Sequence, residues 1–159
     1  MFREMRRINQ VLSKDAAIAI LQTATSGVLA VLGDEGYPYA IPLSYVYHQD
    51  KLYIHCANSG HKLDAIQQHN KVSFCVIDKD QVVSEKYTTY YRSVVLFGKA
   101  KVLEGEAKRE GIELLAAKYS PEQVEGREKE ITAAWERFSI IEVTIEHISG
   151  KVAIELINH

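Results

Sequence analysis

The run Tyr37-Pro38-Tyr39-Ala40-Ile41-Pro42-Leu43-Ser44-Tyr45-Val46-Tyr47-His48 constrains the fold more than any other part of the chain. Tyr37, Tyr39, Ile41, Leu43, Tyr45 and Tyr47 occupy every second position, and Pro38, Ala40, Pro42, Ser44, Val46 and His48 lie between them. Side chains alternate across a β-strand, so the pattern predicts a strand with one bulky face and one mostly small face. Pro42 has no N–H to give to a ladder, which puts this strand at a sheet edge or makes it irregular there. Residues 48–51 read as a turn and residues 51–57 as the partner strand of a hairpin. So short a connection favours antiparallel pairing over a parallel, doubly wound sheet.

The remaining segments extend this reading. Residues 13–24 predict a helix, with Ser13 as its cap, Asp15 in its first turn and an apolar face of Ala17, Ile18, Ile20, Leu21 and Ala24. Residues 28–32 suit a buried strand, and Gly33-Asp34-Glu35-Gly36 a turn. Asn58 or Ser59 can cap a helix over residues 60–69 with Leu63, Ala65 and Ile66 inward. Residues 71–77 predict a strand, 78–86 a polar loop, and 89–103 a long strand. Residues 106–119 and 121–135 have helical spacing, 138–147 alternate as a strand, and 150–157 form a further candidate strand. About six antiparallel strands with few helices predict a mainly β fold, a small closed barrel with helices packed outside.

Composition narrows the function classes. At 159 residues the chain predicts one domain, residues 1–159, with room for a core. Its 47% apolar and 25% charged residues match an ordinary soluble protein. Nineteen basic against 21 acidic residues leave a charge of −2, so no global basic footprint for nucleic acid or anionic membrane exists. The first sustained apolar run, residues 16–21, is too short for a signal peptide or a membrane helix. Cys56 and Cys75 form no CxxC pair and sit in apolar-rich segments, as buried thiols in a reducing compartment do. The expected location is cytoplasmic. Eight of the nine tyrosines fall between Tyr37 and Tyr91.

Several motifs are excluded. Gly98-Lys99 and Gly150-Lys151 lack the remainder of a P-loop, and no GxGxxG or HExxH occurs. His48, His55, His61 and His69 belong to different predicted elements, and no metal site is expected from them. The informative stretch is His55-Cys56-Ala57-Asn58-Ser59-Gly60-His61-Lys62, where a strand ends in small residues and opens into a helix. Unpaired N–H groups at a helix start attract anions. His61 and Lys62 sit at that end, where cations oppose the helix dipole, which suggests a phosphate as their partner. A solvated Lys62 is the competing reading. His55 shares a strand face with Tyr53 and Ala57 and is either a histidine satisfied by a carbonyl or a donor beside a ligand. Cys56 faces the other way with Leu52 and Ile54, into the core. Arg92 suits a phosphate, a carboxylate or an exposed strand position equally.

These residues resemble the nitroimidazole-resistance family, within the superfamily of pyridoxamine 5′-phosphate oxidase-like split barrels. Arg6-Arg7 precedes the first helix as in that family. The run from Gly36 to Tyr45 matches its Pro-Tyr…Pro-Leu-x-Tyr strand. Leu52-Tyr53-Ile54-His55-Cys56-Ala57 with Gly60-His61-Lys62 matches its second signature. The run from Thr88 to Gly98 matches its third, and Ser149-Gly150-Lys151 its terminal Gly-Lys. The resemblance implies an antiparallel FMN-binding split barrel of about six strands, assembled as a homodimer with FMN between subunits. Implied cofactor contacts are Ile41, Pro42, Leu43 and Ser44 along the flavin, then His55, Cys56 and Ala57, with His61 and Lys62 at the phosphate. Ser93 is a further contact that the partner subunit can supply. His55 aligns with the histidine tied to catalysis in nitroimidazole reductases. Some relatives carry Arg where this chain has His61. The implied activity is an FMN-dependent oxidoreductase passing electrons from a reduced donor to a small acceptor such as a nitroaromatic. Alternatives are a flavin-binding or sensing protein without turnover, or a barrel holding haem, a deazaflavin or pyridoxamine phosphate.

Overall fold

In the computed structural model, which describes residues 1–157, the Ser13 hydroxyl accepts a hydrogen bond from the Ala16 N–H at 3.1 Å. This is the predicted cap of helix α1 (Lys14–Thr23). One antiparallel sheet contains β1 (Val11–Leu12), β2 (Gly27–Leu32), β3 (Pro38–Leu43), β4 (Val46–His48), β5 (Lys51–Ala57), β6 (Lys71–Val83), β7 (Thr88–Leu103) and β8 (Phe138–Val152). The other helices are α2 (His61–Gln68), α3 (Gly105–Tyr119) and α4 (Arg127–Ala134). The strands lie in the order β3-β2-β6-β7-β8-β5-β4, with β1 on β8.

This order makes a barrel. β3 and β4 end the path on opposite sides, yet only Ser44 and Tyr45 separate them in the chain. Three peptide steps span at most ~11 Å, so the sheet must curl until its two ends meet. The ends are not hydrogen-bonded to each other, and the barrel is therefore split between β3 and β5.

The predicted hairpin of residues 37–48 on 51–57 is thus only partly formed. Val46 to His48 pair with Lys51 to Tyr53, but Pro38 to Leu43 pair with β2 instead. The chain changes partner at Ser44–Tyr45. Pro42, unable to donate, lies on an edge strand as its chemistry demands.

Three other boundaries differ from expectation. β6 continues through the predicted loop to Val83 and pairs with the start of β7, its register slipping at Asp78. Both faces of this arm meet water, so it has no apolar alternation to read. β8 absorbs two predicted strands because it bends at a bulge instead of turning. Phe97 is opposite His147, while Gly98 is opposite Ile145. Of the predicted helix 121–135, only Arg127–Ala134 is α-helical, and it starts after Gly126 at φ +81°.

The core has two parts. Ala17, Ile20 and Leu21 of α1 and Leu63, Ala65 and Ile66 of α2 join Leu29, Ile54, Phe74, Leu96 and Ile141 in one buried cluster. These two helices flank the sheet, as expected, and bury their apolar faces against it. α3 flanks it elsewhere. It covers β4, β5 and the start of β8 through Leu115 against Val46, Tyr53, Phe138 and Ile140. Gly111 permits this approach, since a Cβ there would be 2.8 Å from Ile140 Cγ2.

Candidate functional site

α2 begins without a side-chain cap. Gly60 precedes it at φ +139°, and a Cβ built there would meet nothing within 4 Å. The Asp64 N–H reaches back to the Gly60 carbonyl at 3.2 Å. The N–H groups of His61, Lys62 and Leu63 have no acceptor among the described residues, as the geometry of a helix start dictates. Asn58, a predicted cap, is used elsewhere. Its Nδ2 donates to the Glu136 carbonyl at 2.5 Å and its Oδ1 accepts from Ser139 Oγ at 2.8 Å.

Beside this helix start the barrel is split. β5 from Ile54 to Ala57 has β8 on one side and no strand on the other, because β4 reaches only as far as Tyr53. β3 likewise has only β2 as neighbour. Tyr39 of β3 stacks on His61, with ring centroids 4.3 Å apart and planes 19° apart. His61 Nε2 also accepts from the Asp34 N–H at 3.4 Å. The His61 ring is thereby turned towards Tyr39 and Asp34, leaving its backbone N–H at the open helix end.

The other sequence-predicted residues divide by face. Ile41 and Leu43 pack against the barrel core, and Cys56 lies within it. Burial pushes the Cys56 thiol up, with Lys62 opposing more weakly, which disfavours the thiolate. Pro42 and Ser44 on the β3 side, and His55 and Ala57 on β5, are exposed at the outer face. The His55 ring lies against Phe138, with centroids 5.3 Å apart. It stands where the cover of α3 ends. Desolvation first, and the Lys62 ammonium second, hold His55 below the usual histidine range. At neutral pH it is an uncharged imidazole with one donor and one acceptor nitrogen. Half-buried Lys62 has no carboxylate within ion-pair distance among the described residues.

Ser93 is not brought to this place within one chain. It lies opposite Ile77 and Lys151. Lys151 is eleven residues along β8 from Ile140, the partner of His55. That is on the order of 30 Å of strand. Arg92 is committed to Asp78, with Nε to Oδ2 at 2.6 Å.

Sequence reasoning missed Tyr39 as the partner of His61, and it missed Lys118 and Tyr119, whose contacts span 73 to 94 positions. The tyrosines between Tyr37 and Tyr91 do not share one environment. Tyr39 is at the cleft, but Tyr45 and Tyr53 are core residues. Among the described residues no group of three or more His, Cys, Asp or Glu side chains can hold a metal. No described helix is long and apolar enough to cross a membrane.

A sequence profile of the pyridoxamine 5′-phosphate oxidase family matches residues 13–152. Comparison with curated proteins finds no match. Among solved structures, a candidate 5-nitroimidazole antibiotic resistance protein from Bacteroides thetaiotaomicron VPI-5482 is 24% identical. The match covers 89% of this chain and 86% of that one at a TM-score of 0.77. A conserved hypothetical protein from Mycobacterium tuberculosis is 16% identical over 98% of this chain and 95% of that one, with a TM-score of 0.81. An FAD and haem binding protein from Mycobacterium smegmatis is 24% identical over 91% and 73%, with a TM-score of 0.76. At these identities the likeness is one of fold.

Proposed function

This chain belongs to the pyridoxamine 5′-phosphate oxidase family, and from that premise we propose that it is an FMN-dependent oxidoreductase with the flavin phosphate at the start of α2. The observation that carries this reading is the uncapped helix end. Three N–H groups and a Lys62 that are free among the described residues, with an open Gly60, form a cradle with the charge and space a phosphate needs. The M. smegmatis relative, an FAD and haem binding protein, supports a flavin in this fold.

A bound flavin supplies the electron transfer itself, so the protein need only bind, orient and move protons. Lys62 and the α2 amides hold the phosphate. Pro42 and Ser44 line one side of the cleft, and His55 and Ala57 the other. Neutral His55 can pass a proton to the acceptor from one ring nitrogen while the other accepts. The acceptor is a small molecule, with nitroaromatics favoured by the B. thetaiotaomicron relative.

The assembly is a homodimer. The outer face of β2, β6 and β7 has no helix over it and carries Val28, Ala30, Cys75, Val95 and Phe97 in register. Lys71 and Lys99 border this apolar stretch and Phe2 stacks on Phe97, and a second copy would cover the remainder. Ser93 is on it, so a second copy can carry its own Ser93 towards a site that the first copy's Ser93 cannot reach.

The absorbance spectrum of the purified protein is the first test. Bands of oxidised flavin are expected, and HPLC of the released cofactor should identify FMN over FAD. Added FMN at ~100 times its dissociation constant should stabilise the flavin-free protein by roughly 2.7 kcal/mol. A Soret band, or no melting shift with either flavin, overturns the assignment. With FMN bound, His55→Ala is expected to lower the rate of nitroaromatic reduction by NADH or NADPH by roughly a hundredfold. FMN affinity should change far less. Equal losses in both would point to binding without turnover.

A further inference from the structure

Ser44 and Tyr45 lie between two strands that pair with different neighbours, so their backbone groups must find partners outside the ladders. Tyr45 finds both on α3. Its N–H donates to Tyr119 Oη at 2.9 Å. Its carbonyl accepts from Tyr119 Oη at 2.6 Å and from Lys118 Nζ at 3.0 Å. The same two side chains reach the end of α1 and the residue after it. Lys118 Nζ donates to the Ala24 carbonyl at 2.5 Å, and Tyr119 Oη lies 2.7 Å from the Thr25 carbonyl. Tyr119 has one hydroxyl proton to share between two carbonyls, and the ammonium of Lys118 supplies the remaining donors. The Tyr45 hydroxyl donates to Leu21 O at 2.7 Å.

Lys118 is costly in this position. Its Nζ sits 4.2 Å from the centroid of the Tyr45 ring. No carboxylate pairs with it among the described residues. Burial alone pulls its pKa below the usual lysine range. A half-buried cation held only by carbonyls and a ring adds little to stability that an apolar residue would not. What it adds is direction, because ammonium and phenol together fix both polar groups of one residue. That residue lies where the chain passes from β3 to β4 and changes its pairing partner.

We propose that Lys118 and Tyr119 are positioning residues that hold Pro42, Leu43 and Ser44 in place for the cofactor by clamping the backbone of Tyr45. This rests on the flavin reading above. A pure helix-cap role for the same contacts would stabilise α1 without touching the cleft, and the two roles separate experimentally.

The variants are Tyr119→Phe and Lys118→Met, with Lys118→Arg as the conservative control. Amide hydrogen exchange is measured across residues 41–46 in the flavin-free protein, and FMN affinity by fluorescence quenching. Tyr119→Phe and Lys118→Met are each expected to speed exchange at the Tyr45 amide by about tenfold and to weaken FMN binding by about tenfold. Lys118→Arg should restore most of both. Faster exchange confined to the end of α1, with FMN affinity unchanged, overturns the proposal in favour of a cap. Tyr45 exchange equal to wild type overturns it as well. Should the wild-type protein take up no flavin, the cofactor reading falls, and Tyr45 exchange still decides whether the clamp holds β3.

Discussion

Replacing Lys62 with glutamate should weaken FMN binding at least a hundredfold while leaving the flavin-free protein as stable as before, or slightly more so. The two effects have opposite signs because Lys62 is badly placed for its own helix. It sits in the first turn of α2, where the helix dipole disfavours a cation and favours an acid by about 0.3–1 kcal/mol. No carboxylate offsets this among the described residues. With phosphate bound, the balance reverses. A charged hydrogen bond contributes about 1.5–3 kcal/mol, and a glutamate there adds repulsion to its loss. Two decades in affinity are about 2.7 kcal/mol, within that range.

His55 supplies an independent readout. Desolvation is the larger cause of its lowered pKa, and Lys62 the second. Lys62→Glu should therefore raise the His55 midpoint without abolishing the depression, measurable by NMR titration. The wild-type pKa is below the unfolded value of about 6.5, so this group's contribution to stability is present above that pH. It is lost as pH falls through the folded pKa, and the variant should lose less. Unchanged FMN affinity in Lys62→Glu would remove the phosphate from the α2 start.

Local chemistry made part of this protein legible. The Ser13 cap, the inward Leu63, Ala65 and Ile66, and the opening of α2 after Gly60 each depend on residues within one turn of one another. The alternation of residues 37–48 was legible too, and Ile41, Leu43 and Tyr45 do face the core. The change of partner at Tyr45 was not. It depends on Tyr119, 74 positions downstream, and no window along the strand contains it. The same holds for Asn58, whose capping chemistry is diverted by Glu136 and Ser139 at separations of 78 and 81. Residues 79–83 failed for another reason. Periodicity records burial, and a two-stranded arm with both faces in water has none to record.

Phe74→Ala should be among the most destabilising single substitutions, and it should change what Gly27 tolerates. Phe74 is 1% exposed and meets the edge of Tyr45 with centroids 4.9 Å apart. Removing such a ring costs about 3–5 kcal/mol. At ~2–4 °C per kcal/mol for a chain of this size, melting should fall by roughly 6–20 °C. Gly27 opens β2 directly over the same ring, and a Cβ there would run into Phe74 Cε1. The buried ring is packed against Tyr45, so any movement away from the new methyl disturbs that contact. Gly27→Ala should therefore cost about 1–3 kcal/mol in the wild-type background. In the Phe74→Ala background the methyl enters vacated space and should cost less, though not nothing, since the Cys75 carbonyl stays 2.9 Å from that Cβ. A coupling of about 0.5–3 kcal/mol between the two sites is the expected result of urea unfolding on the double-mutant cycle. Additive losses would mean that Gly27 is required for its backbone and not for the ring beneath it. The consequence reaches the cleft, because Phe74 supports Tyr45, where the chain passes from β3 to β4. Phe74→Ala should loosen residues 41–46 even at temperatures where the barrel is fully folded.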